Sequence, residues 1–126
     1  MGDKQRWKDE PEPHDYPAAQ SYLSLLMAPA RAAELADALR TEGALEHHKA
    51  KDILRASRLD LLAADNAHVA SDLAKVKGGE KLSPVLLIRG DPLVVADGYH
   101  RVCASYHLDE DAEIPCRIVS RGTGPA

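Results

Sequence analysis

Three short apolar runs constrain this chain's fold more than any other part of it. They are Pro84-Val85-Leu86-Leu87-Ile88, Leu93-Val94-Val95-Ala96 and Ile114-Pro115-Cys116-Arg117-Ile118-Val119. Each has strand length and is rich in branched side chains, which suit a pleated surface better than a helix. Arg89-Gly90-Asp91-Pro92 brings the first two close enough for a hairpin, and a helical stretch, about Tyr99 to Leu108, separates the second from the third. The residues before them read as helical. Tyr22, Leu23, Leu25 and Leu26 fit one helix over Ala18 to Met27. Pro29 opens a second, with Ala32, Leu35, Ala36 and Leu39 at helical spacing and Gly43 near its end. A third, His47 to Arg58, puts Ala50, Ile53, Leu54 and Ser57 on one side. Asp65 or Asn66 caps a fourth, His68 to Lys77, closed by Gly78-Gly79. Leu59 to Ala64 fits a short strand or a helix end.

The expected class is therefore α+β: N-terminal helices, then a small mixed sheet with a helix after the Asp97-Gly98-Tyr99-His100-Arg101 turn. Residues 1–17 hold three of the eight prolines, mixed charges and few apolar groups, so they are expected to form a disordered tail. Residues 18–126 are expected to form a single domain, with 18–64 as a helical extension and 65–119 as the core.

Composition narrows the function. A chain of 126 residues with 16 Lys+Arg against 20 Asp+Glu, net −4, lacks the basic excess that proteins gripping duplex nucleic acid usually carry. Aromatics are 4% with no Phe, which argues against a base-stacking single-strand binder. No apolar run approaches the ~20 residues of a membrane span. The charged N-terminus is not followed by an apolar segment of signal type, and Cys103 and Cys116 form no disulfide framework. A cytoplasmic location is the expectation, with no membrane partner.

The segment that can carry chemistry is Asp97-Gly98-Tyr99-His100-Arg101, where a strand runs into a tight turn and then a helix. Gly98 permits backbone conformations that a Cβ penalises. His100 and Arg101 project from the first helical turn, where unpaired N–H groups and the helix dipole favour an anion. A guanidinium can hold phosphate through two parallel hydrogen bonds. The competing reading is structural: Asp97 caps the helix, Arg101 pairs with its carboxylate and His100 is solvated. A phosphate beside an ionised Asp97 is repelled unless a metal bridges them or the carboxylate turns away.

That segment resembles the Gly-Glu-Arg-Arg box of ParB-type partition proteins and the Gly-Cys-His-Arg box of sulfiredoxin. It is closest to the Asp-Gly-His-His-Arg box of ADP-dependent free serine kinases. All three belong to the ParB/sulfiredoxin superfamily. The resemblance covers about Asp65 to Val119 and includes Ala74-Lys75-Val76, the run Pro84 to Gly90 before the box and Ala112 to Val119 after it. It implies a nucleotide (ADP, ATP or CTP) bound by its phosphates. Gly98, Tyr99, His100, Arg101 and Lys75 would be the binding residues, Asp97 and His100 the catalytic ones, and Asp97 would position Mg²⁺ or a substrate hydroxyl. Tyr99 stands where sulfiredoxin has its reactive cysteine and ParB its glutamate, and Cys103, a turn onward, cannot replace the former. Sulfinic acid reduction and plasmid partition are therefore not expected. Glu80 and Glu46 are the candidates for the kinases' upstream glutamate.

Other residues carry weaker signals. His47 and His48 would point about 100° apart on a helix, which disfavours a shared metal. His107 shares a helix face with His100. Gly78 to Ser83 lacks the order of a phosphate loop, and Asp109 to Glu113 reads as a solvated charge run. Three functions follow, in order of support. The first is a nucleotide-binding domain that hydrolyses or transfers phosphate. The second is a non-catalytic ligand-sensing or protein-interaction module using the N-terminal helices. The last is a nuclease. The first carries the expectation that Arg101→Ala abolishes nucleotide binding and leaves the fold intact.

Overall fold

The computed structural model describes residues 6–122. It is an α+β structure with five helices and a four-stranded mixed sheet among those residues. The elements run α1 (Asp15–Leu23), α2 (Pro29–Thr41), β1 (Ala44–Lys49), α3 (Ala50–Ser57), α4 (Ala67–Lys77), β2 (Val85–Arg89), β3 (Val94–Asp97), α5 (Tyr99–Leu108) and β4 (Glu113–Ser120). The sheet order is β1-β4-β2-β3. β2 and β3 form the expected antiparallel hairpin, β4 lies parallel to β2, and β1 pairs antiparallel with β4 on the outer edge.

Both faces of the sheet are covered, which explains why the strand sequences are apolar without alternation. Val85 and Leu87 of β2, Val95 of β3 and Ile114, Cys116 and Ile118 of β4 pack with Ile53 and Leu54 of α3, Val69 of α4 and Val102 and Cys103 of α5. Leu86 and Ile88 of β2, Val94 and Ala96 of β3 and Val119 of β4 pack instead with Ala19 and Leu23 of α1 and Leu35 and Leu39 of α2. The helices thus form a layer on each side of the sheet.

Three expectations are corrected. First, His47–Arg58 is not one helix: residues 44–49 are the edge strand β1, and α3 starts directly after it at Ala50. Backbone pairing, from Ala44 opposite Ile118 to Lys49 opposite Glu113, holds this polar segment extended. Second, residues 18–64 are not an extension beside a core, because α1, α2, β1 and α3 supply one helical layer, an edge strand and part of the other layer. Third, within the expected tail the chain from Arg6 is packed. Trp7 is 4% exposed in the core. The Leu82 N–H donates to the Arg6 carbonyl at 2.7 Å, and the Lys8 N–H donates to the Leu82 carbonyl at 2.8 Å. α1 already begins at Asp15. The part of that expectation concerning residues 1–5 lies outside the described residues.

Candidate anion-binding cleft

The turn after β3 places Gly98 at the N-cap of α5 with φ 110°, and no side chain caps the helix. Asp97 is therefore not the cap. A Cβ at Gly98 would lie 2.5 Å from Val85 Cγ1 and 2.8 Å from an Arg101 nitrogen, so both the conformation and the space require glycine here. The uncapped first turn leaves backbone N–H groups and the positive end of the dipole available.

This turn opens onto a cleft of about 530 Å³. One wall is the polar face of α4, where His68, Ser71, Asp72 and Lys75 recur at helical spacing. A second is the N-terminal segment, through Lys8, Glu12 and His14; Lys81, Leu82 and Ser83 form the third. Asp97, Gly98, His100 and Arg101 close it. The His68 and His100 rings face each other across the cleft with centroids 4.7 Å apart. Burial pushes the His100 imidazole below its ordinary pKa, and His68 adds to this while Asp72 opposes it. Burial raises the Asp72 carboxyl, against the pull of Lys75, Arg101 and the two imidazoles.

Arg101 is occupied. One terminal nitrogen lies 2.9 Å from Asp97 Oδ2, and the other donates to Ser83 Oγ at 2.8 Å and lies 3.7 Å from Asp15 Oδ1. Its guanidinium straps together the end of β3, the start of α1 and the approach to β2, and its fork is not directed at a ligand. Burial raises the Asp97 carboxyl above the ordinary carboxylate range; Arg101 opposes this, and Asp15, within hydrogen-bonding reach, adds to it.

The expected residues are thus only partly gathered. Asp97, Gly98, His100, Arg101 and Lys75 line the cleft. Tyr99, expected among the binding residues, does not: its hydroxyl donates to the Asp60 carbonyl. Neither glutamate candidate lines the cleft. Glu46 pairs with Arg89 at 2.9 Å and His48 at 2.8 Å, and Glu80 is exposed. Asp97 does not fit a metal ligand, since Arg101 takes its carboxylate. Among the described residues no group of three His, Cys, Asp or Glu side chains could hold a metal ion. His107 bonds the Leu62 carbonyl at 2.7 Å rather than supporting His100. Cys103 and Cys116 are buried and free.

Sequence reasoning missed His68, Ser71 and Asp72, although the stripe ending at Lys75 carried the signal. It also missed Glu12, His14 and Asp15, which had no local signal. A second groove, about 620 Å³, lies among Glu10, Tyr16, Asp37, Arg40 and Arg117, whose charged groups pair as Arg117–Glu10 and Arg40–Asp37. No protein-family model, curated protein or solved structure matches the chain.

Proposed function

We propose that the chain is a phosphate-binding domain of ParB/sulfiredoxin type whose ligand is a nucleotide such as ADP, ATP or CTP, and that it hydrolyses the nucleotide or transfers its phosphate. The observation that carries this reading is the uncapped start of α5 opening onto a cleft that also presents Lys75, Lys81, His68 and His100. A phosphate group there accepts hydrogen bonds from the first-turn N–H groups, Lys75 supplies charge and His100 a further donor. Arg101 acts by neutralising Asp97, which removes part of the repulsion a phosphate would meet. Catalysis would consist of positioning and charge stabilisation. Mg²⁺, where required, would arrive on the phosphates, because the protein ligands for it are not assembled.

Thermal shifts with pyrophosphate, ADP, ATP and CTP, each with and without Mg²⁺, test this. Ligand at a hundred times its Kd stabilises by about 2.7 kcal/mol, a rise on the order of 10 °C for a domain of this size. Lys75→Ala is expected to weaken binding about tenfold without lowering the Tm of the free protein. A flat panel refutes the reading. It would favour a non-catalytic interaction module, for which exposed Tyr22, Leu25 and Leu26 at the end of α1 are the supporting observation.

A further inference from the structure

Arg117 of β4 stands in the second groove, which shares no lining residue with the cleft. Its Nη1 donates to the Gly43 carbonyl at 2.8 Å, and its Nη2 donates to Glu10 Oε1 at 2.5 Å. Its Nε is buried and has no acceptor. Nε and Nη2 form one edge of the planar guanidinium, an edge on which a carboxylate can set both of its oxygens. Glu10 fills half of that edge with one oxygen. A buried donor without an acceptor is rare in folded proteins and costs free energy. The Arg117 side chain is 20% exposed, whereas that of Glu10 is 66% exposed, so the cation is fixed and its present partner is loosely held.

The rest of the groove adds further donors. Arg40 of α2 lines it and pairs with Asp37 a helical turn away, both side chains being more than half exposed. Such a pair contributes little to stability. Tyr16 of α1 lies within the field of both arginines, and burial raises its hydroxyl above the ordinary pKa, which keeps it a neutral donor at pH 7. The volume of about 620 Å³ is that of a small-molecule site, and Pro11, Pro13 and Pro17 give it stiff apolar walls.

We propose that this groove is a second anion site, which takes a small dicarboxylate. One carboxylate fills the Nε–Nη2 edge of Arg117 in place of Glu10, and the other meets Arg40 in place of Asp37. Glu10 and Asp37 are themselves carboxylates, so the exchange keeps the chemistry of each pair and adds the missing bond at Arg117. Once displaced, the two exposed side chains turn into water, where their charges are screened. A dicarboxylate sets one charge at each of two separately paired cations, whereas a phosphate concentrates its charge at one. No covalent bond forms or breaks. The site does not depend on the phosphate reading of the cleft.

Calorimetry and arginine Nε–H NMR on the full chain at pH 7 test the site, with glutarate as the probe. Glutarate should bind saturably and shift the Arg117 Nε–H signal, which is identified by its loss in Arg117→Lys. It should bind about fivefold more tightly than butyrate, which lacks the second carboxylate. Glu10→Gln removes the internal competitor at an exposed position and should tighten glutarate about tenfold. Arg40→Ala should bring glutarate down to the affinity of butyrate and leave the Tm unchanged. Saturating pyrophosphate, which is directed at the cleft, should leave glutarate bound. Absence of saturable glutarate binding to Glu10→Gln would overturn the proposal. So would equal affinity of the wild type for glutarate and butyrate, tighter binding of inorganic phosphate than of glutarate, or displacement of glutarate by pyrophosphate. Glutarate binding as described in a protein that ignores pyrophosphate would refute the phosphate reading and leave this site standing.

Discussion

Arg101 shows how one side chain can be legible in the sequence and still be misassigned. The Asp-Gly-Tyr-His-Arg segment marks it as a phosphate ligand, but in the structure its guanidinium joins Asp97, Ser83 and Asp15. The expectation that Arg101→Ala leaves the fold intact is therefore replaced. Removing the cation leaves two mostly buried carboxylates uncompensated, which costs about 3 kcal/mol at pH 7. Urea unfolding should show this loss. It should also show the loss shrinking as the pH falls into the range where Asp97, raised by burial, takes up a proton instead. Arg101→Lys should recover only part of the loss, because an ammonium cannot bridge three acceptors as a planar fork does. A second prediction concerns Gly98. Gly98→Ala sets a methyl group 2.5 Å from Val85 Cγ1 at a φ of 110°, and should cost ~2 kcal/mol or more. A near-neutral substitution there would mean that the turn relaxes and that the start of α5 is not fixed.

At the scale of elements, the segment ahead of α1 departs most from the sequence-based expectation, and it is also the most easily tested. Trp7 is the one tryptophan of the chain and is 4% exposed. Its fluorescence in the native protein should be blue-shifted and poorly quenched by acrylamide, and Trp7→Ala should cost ~3–5 kcal/mol. Free quenching in the native state would show that this segment does not pack. The reason it was illegible is physical. Its partners, Leu82 and Arg117, lie far along the chain, and a segment fixed by a distant bridge has no periodicity of its own. β1 escaped for a related reason. Ala44-Leu45-Glu46-His47-His48-Lys49 is a mostly exposed edge strand held by backbone pairing with β4, and the true helix α3 follows it without a turn. By contrast β2, β3, β4 and α5 were legible. Strands buried on two faces announce themselves as continuous branched runs, and α5 begins at a glycine that nothing else can replace. Of the cleft, the contiguous part at α5 was legible, whereas the walls from α4 and residues 8–15 come together only by folding.

For the whole molecule, the sheet carries a separate core on each face, and the buried thiols report on one of them. Cys103 of α5 and Cys116 of β4 both lie in the core on the α3–α5 side. Burial pushes Cys103 up from its ordinary pKa, and pushes Cys116 up to about 12. The sign of the linkage follows from this. The unfolded chain ionises Cys116 near the ordinary thiol value, while the folded chain keeps it neutral until about pH 12. The stability contributed is thus fully present below the unfolded pKa and lost as the pH rises through the folded one. Cys116 contributes a limiting slope of about 1.4 kcal/mol per pH unit across that window, and Cys103 acts in the same direction. Tyr16, Tyr99 and Lys51 are also raised and act in the same direction. Cys116→Ala isolates the thiol: it should lower stability at pH 7 and flatten the decline at alkaline pH relative to the wild type. In the native wild type at pH 8, both thiols should react with a bulky disulfide reagent only through opening of the fold, and so more slowly as stability rises. Labelling at a rate independent of stability would mean that the α3–α5 layer opens without the sheet. The two faces would then be separate cooperative units joined by one set of strands.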